Sequence, residues 1–516
     1  MIGTSWRGAV LMTAALVAAS GLAPRRAPAQ IQGVEGLARA YDVILDARFD
    51  QVEPELRRAC GPAPDEACDV LSATALWWRI LLDPESHALD RAFETSVNHA
   101  IQTTAAWTVR EPDHAEAWFY LGGAYAARVQ WRVLRNEKLA AARDGKRIKQ
   151  ALERAVELDP SLDDAYFGIG MYKYYADVAP TALKILRFLL LLPGGDRKEG
   201  LEEMLRARNR GRLMQGEADY QLHVIYLWYE RQTPRALQLL GALHDRFPGN
   251  PLFLSQTAEI QDAYEHDITA SLASWRTLLA AARGQRANAA VLAEVQARIG
   301  IARQLDALHE TDRAIEHLRA VIALKPASPY AALPLAWLRL GEAHDRLGQR
   351  AAATDAFAAA IAAAVTPDPY NVRAQAAGRL RRAPDARRAE AYRLSLDGAR
   401  HLEHNDLAGA ATSLAQSLAL NGTDPVARHR YGRVLQARRD DAGALVQFER
   451  AIATARSGPA PIAATAFLDA ARLHERAGRR EQALTYYRIA STYFGGAADT
   501  HAAAARAVAR LASTAR

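Results

Sequence analysis

Residues 334–367 read PLAWLRLGEAHDRLGQRAAATDAFAAAIAAAVTP. Trp337, Leu340, Gly341 and His344 mark one helix, Gly348 marks a turn, and Ala353, Phe357 and Ala360 mark a second helix closed by Pro367. Two antiparallel helices in about 34 residues form one unit of a stacked array. Gly341 falls where the helices press closest, and Ala353 and Ala360 face the same seam. Trp337, Leu340 and Phe357 fill the space towards the next unit. One such hairpin cannot bury its apolar face alone, so units must stack.

The same spacing recurs on both sides. Trp118, Leu121, Gly122 and Tyr125 fit a first helix, and Ile148, Leu152, Ala155 and Pro160 fit its partner. Tyr220, Ala236, Leu240, Leu243 and Pro248 fit another pair, and Ala314, Leu318 and Val321 fit a further second helix. Three units follow at Leu394, Gly398, Ala410 and Leu414, at Tyr431, Gly432, Ala444 and Phe448, and at Phe467, His474, Gly478, Ala483 and Tyr487. Residues 500–512 suit a solubilising terminal helix. Half of the 516 residues are apolar and only 7% are aromatic, which suits a helical solenoid that grows past a single core. The expected fold is all-α, a right-handed superhelical solenoid of antiparallel helix pairs.

The N-terminus reads as a targeting signal. Arg7 precedes the apolar run 8–23, and Ala27-Pro28-Ala29 is a small-x-small cleavage site before Gln30. An uncleaved anchor is the alternative. The expected organisation is a signal peptide over 1–29, an N-terminal solenoid over 30–365, a Pro- and Arg-rich junction over 366–388, and C-terminal repeats over 389–516. The expected location is the bacterial periplasm. Cys60 and Cys68 are the two cysteines and flank a Pro-rich turn. In an oxidising compartment their natural reading is a disulfide clipping that turn; two free thiols are the alternative.

The formal charge of +7 falls to +4 once Arg7, Arg25 and Arg26 leave with the signal. That permits an acidic partner or a membrane surface without demanding either, and no nucleic-acid motif accompanies it. An insertion over 128–147 carries Arg128, Arg132 and Arg135 at helical spacing, then Lys138, Arg143, Lys146 and Arg147. It reads as a basic finger or as a lengthened, solvated helix pair. Leu76, Trp77, Trp78 and Leu81 form an aromatic-rich stripe that reads as core between helices.

No phosphate loop, HExxH, GxSxG or dinucleotide fingerprint is present. GGDRKEG at 194–200 lacks the Lys-Ser/Thr pair of a phosphate loop. His401, Glu403, His404 and Asp406 match no established metal spacing, and Asp406 suits a helix cap. Asn421-Gly422-Thr423 is a formal glycosylation sequon. The chain is therefore expected to be neither an enzyme nor a cofactor carrier.

The repeats resemble the tetratricopeptide-repeat (TPR) superfamily, whose members bind a peptide or partner domain in a concave groove lined by first helices. Residues 163–230 depart from the regular spacing. Tyr172, Tyr174 and Tyr175 lead through Pro180 into the apolar run 181–192, broken by Lys184 and Arg187. Pro193, Gly194 and Gly195 then make a turn before Asp196 and Arg197. This stretch is similar to the signature of the tetratricopeptide-repeat protein 39 family through Pro180, Leu183, Lys184, Leu186, Phe188, Gly195, Asp196, Arg197, Gly200 and Leu201. That family is eukaryotic and intracellular, and the export signal departs from it.

The resemblance implies a scaffold for a protein or peptide partner. Tyr172, Tyr174, Tyr175, Lys184, Arg187, Asp196 and Arg197 are the candidate contact residues. A second expectation is peripheral membrane or lipid contact through the apolar run 181–192.

Overall fold

The computed structural model describes residues 31–178 and 194–513, and among these every regular element is a helix. The helices pair in chain order. Val34–Leu45 packs with Phe49–Ala59, Asp65–Leu82 with Asp90–Arg110, Ala115–Leu134 with Lys138–Leu158, and Ala165–Val178 with Arg197–Arg210. Gln215–Trp228 then pairs with Thr233–Arg246, Pro251–Ala263 with Ile268–Arg283, Ala290–Ala307 with Thr311–Leu324, and Ala332–Arg346 with Arg350–Ala363. The short helix Val372–Arg381 interrupts the alternation inside the junction. Ala386–Glu403 and Leu407–Leu420, Pro425–Ala437 and Asp441–Ala453, and Ala460–Arg476 and Arg480–Thr492 complete the pairs, and Ala498–Ser513 closes the array.

Local chemistry sets these boundaries. Asp196, Asn250, Asp267, Asp385, Asp406, Asp424 and Asp440 each accept a backbone N–H at the start of the helix that follows, which satisfies donors that the helix leaves open. Gly348 ends the first helix of the unit at 334–367 in a left-handed turn, at φ 73°. The seam glycines are there for space. A Cβ on Gly341 would lie 2.6 Å from Phe357 Cδ1, and one on Gly432 would lie 2.5 Å from Phe448 Cε1. Phe357 and Phe448 are fully buried. The spacing read from the sequence is thus the spacing of contact.

The insertion at 128–147 is not a separate finger. It lengthens both helices of its hairpin, to Ala115–Leu134 and Lys138–Leu158.

In a straight stack each pair would touch only its neighbours. Here the array curls. Trp78, in the second pair, donates its indole N–H to Glu217 in the fifth at 3.1 Å, and its ring lies 6.3 Å from that of Phe253 in the sixth. Gln296 in the seventh pair donates to the Leu82 carbonyl at 3.2 Å, and the Tyr330 N–H reaches Asp83 at 2.8 Å. From residue 115 to residue 330 the chain therefore bends around helices Val34–Leu45 and Asp65–Leu82. The latter buries ten of its eighteen residues, including Val70, Leu71, Ala75, Trp77, Trp78 and Ile80, and leaves Arg79 exposed. So wide an apolar face needs cover from more than one neighbour, and this helix forms the axle of the first turn.

The C-terminal repeats return to the first turn at two places. Tyr392 bonds Thr311 at 2.7 Å, and half-buried Arg430 donates to the His309 carbonyl at 2.9 Å and to Ser395 Oγ at 3.0 Å. Further along, the rings of Phe494 and His266 approach to 5.4 Å.

Candidate partner-binding site

Of the expected contact residues, Tyr174 and Arg197 meet in one small network around Glu230. Gly170 and Gly200 bring helices Ala165–Val178 and Arg197–Arg210 into backbone contact. A Cβ on Gly170 would lie 2.5 Å from the Gly200 carbonyl oxygen, and one on Gly200 would lie 2.7 Å from the Tyr174 nitrogen. Asp196 caps the second helix by accepting the Glu199 N–H at 2.9 Å. Arg197 then donates through Nε and Nη2 to the two oxygens of Glu230, at 2.8 and 2.5 Å. Tyr174 is fully buried and donates its hydroxyl to the same carboxylate.

Burial, then the Glu230 charge, pushes the Tyr174 phenol well above its ordinary range. The Arg197 hydrogen bonds hold Glu230 low. Tyr175 stacks edge-on against Tyr229 at 5.5 Å, and Lys149 approaches the Tyr172 ring at 5.9 Å. Lys184 and Arg187 lie outside the described residues, as does the run 181–192 on which the membrane expectation rests. Among the described residues no helix is long and apolar enough to cross a membrane.

Arg197, Glu230 and Tyr174 thus spend their polar groups on one another and knit two consecutive pairs together. Beside them a cleft of about 650 Å³ opens between Trp228, Arg231, Thr233 and Tyr264, with both rings solvent-exposed.

The inner face of the first turn is already occupied. Glu217 is buried and accepts from Tyr41 at 3.0 Å, Trp78 at 3.1 Å and Gln221 at 3.1 Å. Burial raises its carboxyl above the ordinary range. Asp164, also raised by burial, accepts three backbone N–H groups from Arg212, Leu213 and Met214 at 2.8–2.9 Å. Glu116 takes the Gln32 N–H at 2.9 Å. Glu217 and Glu116, which would line an open groove here, hold the chain's own leading segment instead, and Asp164 holds the turn at 212–214.

Four of the insertion's seven basic residues, Arg128, Arg132, Arg135 and Arg147, are paired from within. Asp144 is fully buried; Arg128 grips it with two bonds at 2.8 and 2.9 Å, Arg132 reaches it at 2.6 Å and Arg147 at 3.1 Å. Arg135 pairs with Asp90 at 2.7 Å. The run is therefore a lengthened helix pair and not a separate finger, although Arg128 and Arg135 are mostly buried rather than solvated. Asp406, from the compact His/Glu/Asp cluster, caps helix Leu407–Leu420 through the Gly409 N–H at 2.9 Å.

A second cleft, of about 810 Å³, lies at the far end of the array. Arg472 and Arg476 of helix Ala460–Arg476 and Arg506 and Arg510 of helix Ala498–Ser513 line it, with Leu468, Ala503 and Ala507 supplying apolar surface. Sequence reasoning treated the terminal helix as a cap and passed over this cleft. The signal was legible: Arg472 and Arg506 stand one repeat length apart, as do Arg476 and Arg510.

No family model matches the chain, and no curated protein matches it. The narrower resemblance to the tetratricopeptide-repeat protein 39 family gains no support from them. Solved structures do match. The TPR2AB domain of yeast Sti1, solved in complex with pHSP90, covers 58% of this chain and 96% of its own, at 13% identity and a TM-score of 0.22. A tetratricopeptide repeat protein from Parabacteroides merdae covers 58% and 98%, at 14% and 0.25. A thermophilic TPR protein of Thermus thermophilus covers 42% and 99%, at 21% and 0.21. Likeness this low carries no weight beyond the helix pairing itself, and that pairing decides the matter.

The fold is a TPR-like helical solenoid. Its repeats are elaborated in two ways: the first turn is filled by its own leading helices, and the last repeats end in an arginine-lined cleft.

Proposed function

We propose that this protein is an exported scaffold that binds a protein or peptide partner and catalyses no reaction. The observation that carries the reading is the contrast between the two ends of the array. The first turn is sealed on its inner face by helices Val34–Leu45 and Asp65–Leu82, while the cleft at the last repeats is open and lined by cations. A solenoid of this kind offers surface rather than a reacting centre.

Two features support export. Ile31 is buried and the Gln32 N–H is taken by Glu116, so residues just past the expected cleavage site at Ala29 are anchored in the fold. Cys60 and Cys68 sit at disulfide distance, with Cα atoms 6.2 Å apart across the turn between helices Phe49–Ala59 and Asp65–Leu82. We read this as a disulfide formed in an oxidising compartment.

Intact mass and thiol titration of the protein recovered from the periplasm test this part. The expected product starts at Gln30 and has no free thiol; a full-length, thiol-bearing protein in the cytoplasm overturns it. In-cell crosslinking of the full chain followed by mass spectrometry tests the scaffold. A specific protein partner is expected, and a chain that crosslinks to none counts against the reading.

A further inference from the structure

We infer that the cleft between helices Ala460–Arg476 and Ala498–Ser513 binds an extended, carboxylate-rich segment of a partner protein. The inference rests on the scaffold reading and names what that scaffold takes.

Charge is distributed unevenly along the chain. Residues 386–513 hold eighteen arginines and no lysine against twelve acidic residues, so the mature chain's excess of cations is concentrated in the C-terminal repeats. Within the cleft the arginines fall as two pairs. Arg472 and Arg476 are four residues apart on one helix, and Arg506 and Arg510 are four apart on the next, so each pair shares a helix face. Like charges at that spacing weaken a helix. Setting two such pairs across one cleft is a cost that a purely structural cap would avoid.

The pairs are only partly answered from inside. Arg472 bonds Asp469 at 3.1 Å, Arg476 bonds Asp441 at 2.9 Å, and Arg510 bonds Glu475 at 2.6 and 3.0 Å. Each of these guanidinium side chains stays about half exposed. The single-bond pairs at Arg472 and Arg476 are weak and exchange readily with other carboxylates, while the two-bond pair at Arg510 is firmer. Arg506 is exposed and has no ion pair among the described residues. Each guanidinium carries five N–H donors in a planar fork that matches a carboxylate, and Arg472, Arg476 and Arg510 use only one or two of theirs.

The spacing selects the shape of the ligand. Four residues of helix rise by about 6 Å. Alternate side chains of an extended peptide repeat on one side at about 6.8 Å. A segment with acidic residues at alternate positions can therefore engage one arginine pair in step, with its intervening residues over Leu468, Ala503 and Ala507. A nucleic acid fits less well. The one aromatic residue lining the cleft, Tyr487, is buried and turns its hydroxyl to Glu475 at 2.7 Å, so no ring is presented for base stacking.

Fluorescence anisotropy with a labelled (Glu-Ser)n peptide, on the full mature chain, tests the inference. Saturable binding is expected, together with loss of binding in high salt and no binding of the (Gln-Ser)n control. Arg506→Glu should weaken binding about tenfold or more; it removes an exposed, unpaired side chain, so circular dichroism should be unchanged. Arg382→Glu, an exposed charge in the junction, should leave binding unaltered and thereby exclude a diffuse charge effect.

The inference is overturned if the peptide does not bind, if both variants bind alike, or if single-stranded DNA of equal charge displaces the peptide. A partner captured by crosslinking and retained by Arg506→Glu would overturn this inference and leave the scaffold reading standing. The absence of any crosslinked partner would instead strike the scaffold reading.

Discussion

Trp78 and Glu217 are 139 residues apart in sequence and joined by a buried hydrogen bond of 3.1 Å. The bond ties the axle helix to the wall of the first turn. Trp78 also lies 4.9 Å from the Tyr220 ring. Trp78→Ala should cost about 3–5 kcal/mol, and Trp78→Phe about 1–2 kcal/mol through the lost donor. Urea unfolding followed by circular dichroism measures both. Equal stability of the Ala and Phe variants would mean that the indole is not packed as described.

Glu217 makes stability depend on pH. Its folded carboxyl titrates above the ordinary 4.5, because burial disfavours the charge. The folded state therefore keeps a proton that the unfolded state has released, and stability falls as pH rises from 4.5 to the folded value. Burial pushes His223 the other way, down to about 4. Its contribution is present above 6.5 and is lost as pH falls towards 4. Glu217→Gln should flatten the decline on the alkaline side and leave the His223 limb. Thermal melts across this range check it; an unchanged slope above pH 4.5 would sink the assignment.

Asp144 is the shared anion of three arginines. Asp144→Ala leaves buried cations without their counter-charge and should cost about 3–5 kcal/mol. Arg147→Ala removes a half-exposed partner and should cost no more than about 1 kcal/mol. A large loss in the second variant and none in the first would reverse the reading of the insertion.

Gly341 and Phe357 form a steric pair. Gly341→Ala should cost about 1–3 kcal/mol by overpacking the seam. Adding Phe357→Leu should recover part of that loss, and a double-mutant cycle would read the coupling directly. Strict additivity would show that the glycine serves some other purpose.

The pairing of helices was legible because it is local. Gly341 and Phe357, or Gly432 and Phe448, lie sixteen residues apart, and a single hairpin decides their contact. The cap at Asp196 was legible for the same reason. The burial of Trp77 and Trp78 could be read from their helix, but what covers Trp78 could not, since Glu217 and Phe253 lie three and four pairs downstream.

Of the candidate contact residues, Tyr174 and Arg197 owe their surroundings to Glu230, which belongs to the next pair and carries no spacing signal of its own. Asp144 could have been noticed as the acid set within a basic run. The arginine cleft could have been found by aligning residues one repeat apart.

The filled first turn also dictates an order of events. Helix Asp65–Leu82 leaves the ribosome, and in an exported chain crosses the membrane, well before Glu217, Phe253 and Gln296 that cover it. Contacts of such sequence separation are slow to form. Local hairpins can close as they appear, but this apolar segment must wait for more than two hundred residues to follow. Until then it is exposed to aggregation, so a chaperone that holds the unfinished chain is the companion this architecture calls for.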